Sequence, residues 1–309
     1  MHTILITGGA GFIGSHLTRL FVTKYPNYNI VNLDKLTYAG NLENLKDVEN
    51  ATNYTFVKGD ITDLAFLREL FATYNFTGVL HCAAESHVDR SITDPLAFIH
   101  TNVLGTASLL QAAKENWNGN YDNKVFYHIS TDEVYGDIEE GAHDEEHLLK
   151  PSNPYSATKA AADMLVMAWG RTHNVPYMII RPTNNYGIGQ YVEKLIPKAC
   201  KFLSLGRKIP LHNNGTPIRN WLHAKDTARA VIKIVESKEK NEIYNIAGGF
   251  EQSNLSTVYK IIEEFYSDQE FTYSDKIDFN VHRPGQDVRY ALNDSKIRAL
   301  GWKPECIFD

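Results

Sequence analysis

The stretch Gly8-Gly9-Ala10-Gly11-Phe12-Ile13-Gly14 decides the fold of this chain. It follows a short β-branched run, Ile4–Thr7, and leads into a helical stretch, Ser15–Tyr25. Its spacing satisfies G-x-G-x-x-G from Gly9, and also G-x-x-G-x-x-G from Gly8. In such a turn the first glycine permits the tight bend, the second lets the backbone approach a diphosphate, and the third lets the helix pack against the strand. The stretch therefore predicts the strand–turn–helix unit with which a dinucleotide-binding sheet begins.

The choice of dinucleotide depends on Asp34, which ends the next apolar run, Ile30–Leu33. A glycine turn alone would also fit an ordinary loop, but a carboxylate about 20 residues after it is placed to hydrogen-bond the adenosine ribose. The same carboxylate would repel a 2′-phosphate, while the helix N-terminus supplies N–H groups to the phosphates. The sequence therefore predicts NAD, rather than NADP, as the cofactor.

Short apolar runs alternate with helical patterns through the first 180 residues. The runs are Ile4–Thr7, Ile30–Leu33, Tyr54–Val57, Gly78–Cys82, Val125–Ile129 and Tyr177–Ile180. Between them, Asp63–Tyr74 begins on an N-cap aspartate, and Asp94-Pro95 opens a helix that runs towards Glu115. Such alternation is typical of βαβ units, so we expect an α/β fold with a Rossmann-type doubly wound parallel sheet.

The alternation of apolar runs and helical patterns stops after residue 185. Helical stretches at Asp226–Glu236, Leu255–Tyr266 and Asp294–Leu300 are separated by segments rich in Gly and Pro, which we interpret as loops. We expect residues 1–185 to form an NAD-binding Rossmann domain, with about 220–246 interleaved back into it. Residues 186–309 would then form mainly a smaller C-terminal lobe that binds the substrate.

Composition argues against several kinds of binding partner and against a membrane protein. The chain has 309 residues, a formal net charge of −6 and no basic block, which argues against nucleic acid. It contains no apolar run near the roughly 18 residues of a membrane span, and its N-terminus has no signal-peptide pattern. Three widely spaced cysteines and twelve histidines form neither a CxxC pair nor an HExxH motif. We therefore expect a cytoplasmic protein with reduced cysteines and no metal site.

Tyr155 and Lys159 form a Tyr-x-x-x-Lys pair, one turn apart on one face of a predicted helix. A lysine ammonium in that position lowers the pKa of the phenol and makes tyrosinate accessible near neutral pH. Taken alone, such a pair is more often part of a solvated helix face. In a chain that also carries a dinucleotide-binding motif, the Tyr-x-x-x-Lys pair indicates a base that acts on a substrate hydroxyl.

The segment Ser130-Thr131-Asp132-Glu133-Val134-Tyr135-Gly136 follows the fifth predicted strand. Ligands bind at the carboxyl ends of strands in sheets of this kind. Two adjacent carboxylates there can divide acid and base work, because they point in different directions. In isolation the pair would fit equally well a capping Asp-Glu at a surface turn.

Further motifs are spaced along nearly the whole chain. They are Asp34-Lys35-Leu36-Thr37-Tyr38-Ala39-Gly40-Asn41, Gly59-Asp60-Ile61, Ala83-Ala84-Glu85-Ser86-His87-Val88-Asp89, Thr101-Asn102, Asn184-Asn185-Tyr186-Gly187, Glu193-Lys194-Leu195-Ile196-Pro197, Ile218-Arg219-Asn220-Trp221 and Arg283-Pro284-Gly285. With the glycine turn, the Tyr-x-x-x-Lys pair and Thr131-Asp132-Glu133, the chain resembles the dTDP-glucose 4,6-dehydratase family of the extended short-chain dehydrogenase/reductase superfamily.

The resemblance implies a lyase reaction on a nucleotide-diphosphate hexose, most simply dTDP-glucose. The sugar would be oxidised at C4, would lose water between C5 and C6, and would regain hydride at C6 to give the 4-keto-6-deoxy product. Tyr155 would act as base on the 4-hydroxyl, Glu133 would remove the C5 proton, and protonated Asp132 would expel the 6-hydroxyl as water. NAD would then be a resident catalyst that is reduced and reoxidised within each turnover.

The resemblance also assigns residues to sites. Catalytic roles fall on Thr131, Asp132, Glu133, Tyr155 and Lys159. The residues implied for the cofactor are Gly8, Gly11, Phe12, Ile13, Gly14, Asp34, Lys35, Thr37, Asp60, Ile61, Ala83, Ala84, Thr101, Tyr155, Lys159 and Asn185. Those implied for the substrate are Ser86, Thr131, Asn184, Glu193, Lys194, Leu195, Pro210, His212, Arg219, Asn254 and Arg283. The helices at 94–116 and 154–172 match those that the family uses for a homodimer interface.

Some positions depart from the family pattern. Ile188 and Val192 stand where the family usually has Pro, and Gln286 stands where His is common. His212 stands at a position near the nucleotide base where the family usually has Tyr. Dehydration of another nucleotide-diphosphate hexose, such as UDP-glucose, therefore stays open, as does a 4-epimerase. A non-catalytic NAD-binding sensor is the alternative from another class, but such modules generally lack the Tyr-x-x-x-Lys pair.

Overall fold

The computed structural model describes residues 2–281 and 283–308. The strands are β1 (Thr3–Thr7), β2 (Asn29–Asp34), β3 (Tyr54–Lys58), β4 (Gly78–His81), β5 (Val125–Ile129), β6 (Tyr177–Pro182), β7 (Asn184–Tyr186), β8 (Ile209–His212), β9 (Ile218–His223), β10 (Glu242–Ile246), β11 (Glu251–Ser253) and β12 (Ile277–Val281). The α-helices are α1 (Phe12–Lys24), α2 (Leu64–Tyr74), α3 (Val88–Thr93), α4 (Pro95–Phe98), α5 (Gly105–Trp117), α6 (Pro154–His173), α7 (Leu195–Ser204), α8 (Ala224–Ser237), α9 (Asn254–Phe265), α10 (Tyr273–Lys276) and α11 (Ser295–Ala299). Short 3₁₀ helices span Leu42–Leu45, Asp132–Tyr135 and Asn213–Gly215, and a π-helical segment spans Ile99–Leu104.

A seven-stranded parallel sheet forms the body of the molecule, in the order β10-β6-β5-β4-β1-β2-β3. The predicted doubly wound fold and its six strands are confirmed. Strand order reverses between β1 and β4, which are neighbours although two strands separate them in sequence. Ligands bind at such a switch point, outside the carboxyl ends of the strands. The glycine turn after β1 opens onto this crevice.

Apolar side chains on both faces of the sheet explain its burial. Ile4 and Ile6 of β1 pack into a core with residues of α1 and α8, whereas Leu5 points to the opposite core, under α2, α5 and α6. Successive strand residues point to opposite faces, so a strand covered by helices on both sides must be apolar throughout. The continuous apolar run at the start of the chain is the sequence signature of this arrangement.

The helices begin where the sequence places capping side chains. The Asp63 carboxylate accepts a hydrogen bond from the Phe66 amide at 3.0 Å at the start of α2. Asn153 and Ser156 form a reciprocal capping box at the start of α6, which fixes the helix that carries Tyr155. The predicted helix from Asp94 is continuous to Trp117 but passes through the π-helical segment, which contains Thr101.

The expectation of loops between helices after residue 185 is wrong in part. This region also contains a three-stranded sheet, β11-β9-β7, a two-stranded parallel sheet of β12 and β8, and the helix α7. Leu203, Ile209, Leu211, Val258 and Ile262 form its core. These strands are only three to six residues long, which leaves too little alternation to be recognised in the sequence, and their partners lie far away along the chain.

The chain returns from this smaller lobe to the main body. Helix α8 packs in the α1 layer, and β10 adds the seventh strand beside β6. Ile297 and Trp302 join the same core, and the Trp302 indole donates to the Asp226 carbonyl at 3.1 Å. The division at residue 185, with about 220–246 interleaved, stays a prediction.

None of the helices in residues 2–281 and 283–308 is both long enough and apolar enough to cross a lipid bilayer.

Candidate active site

The predicted site residues all line one cleft of about 450 Å³ at the carboxyl ends of the parallel strands. The wall made by the main body carries Gly8, Gly11, Phe12, Ile13, Gly14, Asp34, Lys35, Thr37, Asp60, Ile61, Ala83, Ala84, Ser86, Thr101, Thr131, Asp132, Glu133, Tyr155 and Lys159. The wall made by residues 184–283 carries Asn184, Asn185, Glu193, Lys194, Leu195, Pro210, His212, Arg219, Asn254 and Arg283. Residues far apart in sequence thus share one cleft.

The glycine turn is as tight as the motif requires. Gly8 has a φ of +69°, and the Gly11 amide donates to the Gly8 carbonyl at 3.1 Å. A Cβ on Gly14 would lie 2.1 Å from that carbonyl oxygen, so no larger residue fits there. Gly11 is the N-cap of α1 and has no side chain with which to cap it. The first turn of α1 therefore presents backbone N–H groups suited to an anionic diphosphate.

Asp34 is fixed at the edge of the same turn. Its two carboxylate oxygens accept hydrogen bonds from the Ala10 amide at 2.9 Å and the Leu36 amide at 2.8 Å. An ionised carboxylate has about four lone-pair sites, so both oxygens retain capacity for ribose hydroxyls. Beside it, the Lys35 ammonium lies 2.6 Å from the Asp60 carboxylate. The turn and this carboxylate fit the diphosphate and adenosine ribose of NAD.

Thr131, Asp132 and Glu133 lie at the carboxyl end of β5, where the chain enters a 3₁₀ helix. The Thr131 hydroxyl donates to Oδ1 of Asp132 at 3.0 Å, and its oxygen accepts from the Glu133 amide at 3.3 Å. Asp132 is only 2% exposed, and its Oδ2 has no hydrogen-bond partner within residues 2–281 and 283–308. A buried carboxyl oxygen aimed into a cleft is available to a ligand.

Burial and the neighbouring Glu133 carboxylate raise the pKa of Asp132 to about 7. Burial also raises the pKa of Glu133, but the positive charges of Arg219 and Lys194 oppose that increase. Two close carboxyl groups cannot both ionise cheaply, so the pair holds a proton near neutral pH. The cations beside Glu133 favour Asp132 as the protonated member.

Tyr155 and Lys159 are one turn apart on α6, and both are buried. The Lys159 ammonium donates to the Ile129 carbonyl at 2.7 Å. Burial and the Glu133 carboxylate raise the pKa of Tyr155, and a hydrogen bond with Thr131 opposes them. The expected lowering of the Tyr155 pKa by Lys159 is therefore not produced by the protein side chains alone. A cationic nicotinamide in the cleft would add the positive charge that favours tyrosinate.

Lys194, Arg219 and Arg283, the three cations among the residues that the resemblance implies for the substrate, each have a protein partner. The Lys194 ammonium donates to the Ser86 carbonyl at 2.6 Å, and Arg219 donates to the Asp287 carbonyl at 3.0 Å. Arg283 pairs with Asp89 through two nitrogens, at 2.5 and 3.0 Å. A diphosphate at this place would compete with Asp89 for the Arg283 guanidinium.

The sequence reasoning missed Tyr290 and Asp287. The Tyr290 hydroxyl lies 3.4 Å from Oε2 of Glu133 and donates to the Asp287 carboxylate, and the Arg219 guanidinium stacks 4.5 Å from the Tyr290 ring centre. Ser152 donates to the same Asp287 carboxylate at 2.5 Å. Both residues follow the recognised Arg283-Pro284-Gly285 motif closely, so extending that motif by five residues would have found them.

Comparison with known proteins gives a consistent family. The model of the GDP-mannose 4,6 dehydratase family matches residues 5–309. The chain is 44% identical to the dTDP-glucose 4,6-dehydratase of Shigella flexneri over 324 residues, covering 99% of this chain and 89% of that protein.

Solved structures agree at the level of the fold. The dTDP-glucose 4,6-dehydratase DesIV of Streptomyces venezuelae, crystallised with NAD, is 38% identical with a TM-score of 0.91, covering 99% of this chain and 93% of that one. A UDP-glucose 4-epimerase of Thermotoga maritima is 26% identical with a TM-score of 0.86, covering 99% and 94%. The shared fold thus spans two chemistries, and sequence identity is higher on the side of the dehydratase.

Proposed function

The chain belongs to the GDP-mannose 4,6 dehydratase family, and within it to the dTDP-glucose 4,6-dehydratases, and from this membership and the cleft we propose that it converts dTDP-glucose to the 4-keto-6-deoxy sugar and water. The observation that carries the proposal is a buried Asp132 that lines the cleft with Glu133 and Tyr155, where burial and the Glu133 charge raise its pKa to about 7. Removal of water needs an acid for the departing hydroxyl and a base for the neighbouring proton, and the cleft offers both.

The first step is oxidation at C4. Thr131 and Tyr155 hold the 4-hydroxyl, and Tyr155 as phenolate accepts its proton. NAD bound in this cleft would supply the redox chemistry, as the acceptor of hydride from C4 and its donor to C6. The residues that fit NAD are the glycine turn and Asp34.

The second step is elimination. The 4-ketone acidifies the C5 proton, which Glu133 accepts, so that the C5–H bond breaks and its electron pair forms an enolate with the ketone. The C6–O bond then breaks as the C5–C6 double bond forms, and Asp132 donates its proton to the departing oxygen, which leaves as water. Glu133 then returns a proton to C5, and since it can exchange with solvent, C5 carries solvent hydrogen in the product.

The proposal is tested by product analysis after incubation with dTDP-glucose in deuterium oxide. We expect a 4-keto-6-deoxy sugar with one solvent deuterium at C5 and no net accumulation of reduced nicotinamide. Parallel reactions with UDP-, CDP- and GDP-glucose show which nucleotide base the enzyme prefers in its substrate. Faster turnover of another nucleotide sugar would correct the substrate, formation of a galactose epimer would replace dehydration by epimerisation, and complete inertness with NAD bound would indicate a sensor.

We also propose a homodimer, supported by apolar side chains exposed on the helices expected to form it. Leu96 of α4 is 72% exposed, and Ile99 of the π-helical segment and Met164 of α6 are each 48% exposed. Because α4 packs on α6, these side chains lie on adjoining helices of the described chain. Exposed apolar patches of this kind mark protein interfaces.

Leu96→Glu is expected to convert the dimer to a monomer, because a carboxylate would be desolvated at the interface. Sedimentation velocity measures the change. Leu148→Glu is the matched control, since Leu148 is 77% exposed but lies outside these helices, and it should leave the dimer intact. A monomeric wild-type protein, or loss of the dimer in both variants, would contradict this interface.

We infer the cytoplasm as the compartment. Support comes from Cys82, Cys200 and Cys306, which are free thiols in the part of the chain that the structure describes.

A further inference from the structure

A buried carboxylate lies beneath the Tyr155–Lys159 pair. Asp163 is on α6, one turn beyond Lys159, and is completely buried. Its Oδ2 accepts a hydrogen bond from Nε of Arg181, on β6, at 2.9 Å. Its Oδ1 lies 3.4 Å from Nε2 of His128, on β5. Tyr155, Lys159 and Asp163 therefore follow one another along the inner face of a single helix.

Asp163 is held by a network of groups, Arg181, Tyr135 and Asn245, that do not line the cleft. Arg181 is itself buried, and its Nη1 donates to the Tyr135 hydroxyl at 2.6 Å, which in turn donates to Oδ1 of Asn245 at 2.9 Å. Burial alone would raise the pKa of Asp163, but the His128 ring beside its Oδ1 and the Arg181 charge hold that pKa below its usual value. Asp163 thus stays ionised.

Burying a carboxylate and a guanidinium is costly, and apolar residues of similar size are often as stable. A buried ion pair is therefore weak evidence for a purely stabilising role. Its position directly under a lysine of the candidate site points to an electrostatic one.

Lys159 is the group that Asp163 can influence. Burial lowers the pKa of Lys159 to about 8, and the Asp163 carboxylate opposes that decrease. The other titratable groups that face Lys159 are uncharged at neutral pH. Burial lowers the pKa of His128 to about 4 and that of His81 well below its usual value, while burial raises the pKa of the Cys82 thiol to about 12.

We propose that Asp163 is a positioning residue of the dehydratase: held by Arg181 next to His128, it keeps the Lys159 amine protonated one helical turn from Tyr155. This inference rests on the proposed function, because the protonated amine matters only if Tyr155 must lose its proton during oxidation at C4. Asp163 acts through Lys159 and is not among the residues that line the cleft.

The test isolates the oxidation step. Asp132 titrates near pH 7 and acts after oxidation, so the basic limb of overall turnover would mix two groups. The rate of C4 oxidation, followed by the near-ultraviolet absorbance of reduced nicotinamide in single turnovers, avoids this. In Asp163→Asn we expect the basic limb of that rate to move to lower pH by about 1–3 units, the size of shift that one nearby opposite charge causes.

The sign follows from which form of Lys159 is active. The ammonium is the required form, and loss of the Asp163 charge makes the amine lose its proton at lower pH. Oxidation should therefore fall little below the new midpoint and by roughly tenfold for each pH unit above it. A general structural defect would lower the rate equally at every pH.

A second readout needs neither substrate nor turnover. In protein labelled with ¹³C at lysine Cε, the Lys159 resonance is identified by its absence in Lys159→Met, and its titration midpoint should fall by the same amount in Asp163→Asn. Tyr135→Phe is the matched control, since it removes the outer hydrogen bond of the same network and leaves the Asp163 charge in place.

Asp163→Asn leaves Arg181 without its counter-charge, so Asp163→Asn/Arg181→Met is made alongside it to restore a neutral, packed pair. We expect the same downward shift in the double variant. An unchanged Lys159 midpoint and an unchanged basic limb in a folded variant would overturn the role of Asp163. Wild-type protein that leaves dTDP-glucose unchanged would instead overturn the proposed function, while the lysine titration would still report the coupling.

Discussion

Asp132→Asn is expected to slow loss of water from the oxidised sugar by about 10²–10⁴-fold while C4 oxidation proceeds close to the wild-type rate. Hydroxide is a poor leaving group, so the departing 6-oxygen must receive a proton as the bond to C6 breaks. Asn keeps the shape of Asp132 and the contact of its Oδ1 with the Thr131 hydroxyl, but it has no acidic proton. The defect should therefore appear after oxidation and not before it.

Single-turnover measurements separate the two steps. In Asp132→Asn, reduced nicotinamide should form normally and then persist, since the acceptor carbon for the returning hydride is made only by loss of water. The C5 proton should continue to exchange with deuterium oxide, because Glu133 is intact. Asp144→Asn is the control, since Asp144 is exposed and pairs with His147. Equal losses in oxidation and dehydration would refute the acid role.

The same assignment sets a pH dependence in the wild-type protein. Burial and the Glu133 charge raise the pKa of Asp132 to about 7, and the acid is active only while protonated. The rate of dehydration should therefore decrease as pH rises through about 7. The rate of oxidation should not follow that curve, because Asp132 takes no part in it.

Local signals in the sequence were sufficient for six of the seven strands of the main sheet, whereas β10 was not among the predicted runs. The glycine turn, Asp34 and the six apolar runs are each contained within a few residues, and each depends on chemistry that neighbours along the chain can report. The small sheets were missed because β7 and β11 have three residues each and pair through β9. Strand pairing between distant segments leaves no periodic trace in so short a run.

The candidate site shows the same limit. Thr131, Asp132, Glu133, Tyr155 and Lys159 could be nominated because they occur in short motifs. Asp163 carries no such motif, since an aspartate one turn after a lysine on a helix is ordinarily a solvent-exposed ion pair. What distinguishes it is burial against Arg181, which comes from the neighbouring β6 and is visible only in three dimensions.

Burial also explains why one electrostatic expectation failed. The sequence suggested that Lys159 would lower the Tyr155 pKa, but desolvation and the Glu133 charge act in the opposite direction. Spacing along a helix gives the distance between two groups and says nothing about the dielectric around them. Where the groups are buried, the charged form of each one must be stabilised by several partners at once.

Tyr155→Phe is expected to reduce C4 oxidation itself by about 10²–10⁴-fold, because the 4-hydroxyl then has no base to accept its proton as hydride leaves. Phe fills the same buried space, so packing of α6 against the sheet should be kept. Tyr127→Phe is the control, because Tyr127 is another buried tyrosine, on β5 and in the core rather than in the cleft.

Tyr155→Phe and Asp132→Asn should differ in the signals that they lose, and this difference makes the order of the steps testable. Since the C5 proton becomes acidic only after the 4-ketone has formed, Tyr155→Phe should show neither reduced nicotinamide nor exchange at C5, although Asp132 and Glu133 are unaltered. Asp132→Asn should show both signals without product. If Tyr155→Phe still exchanged the C5 proton at the wild-type rate, C5 would be activated without oxidation at C4. Glu133 would then act independently of Tyr155, and the sequence of steps proposed for this cleft would have to be abandoned.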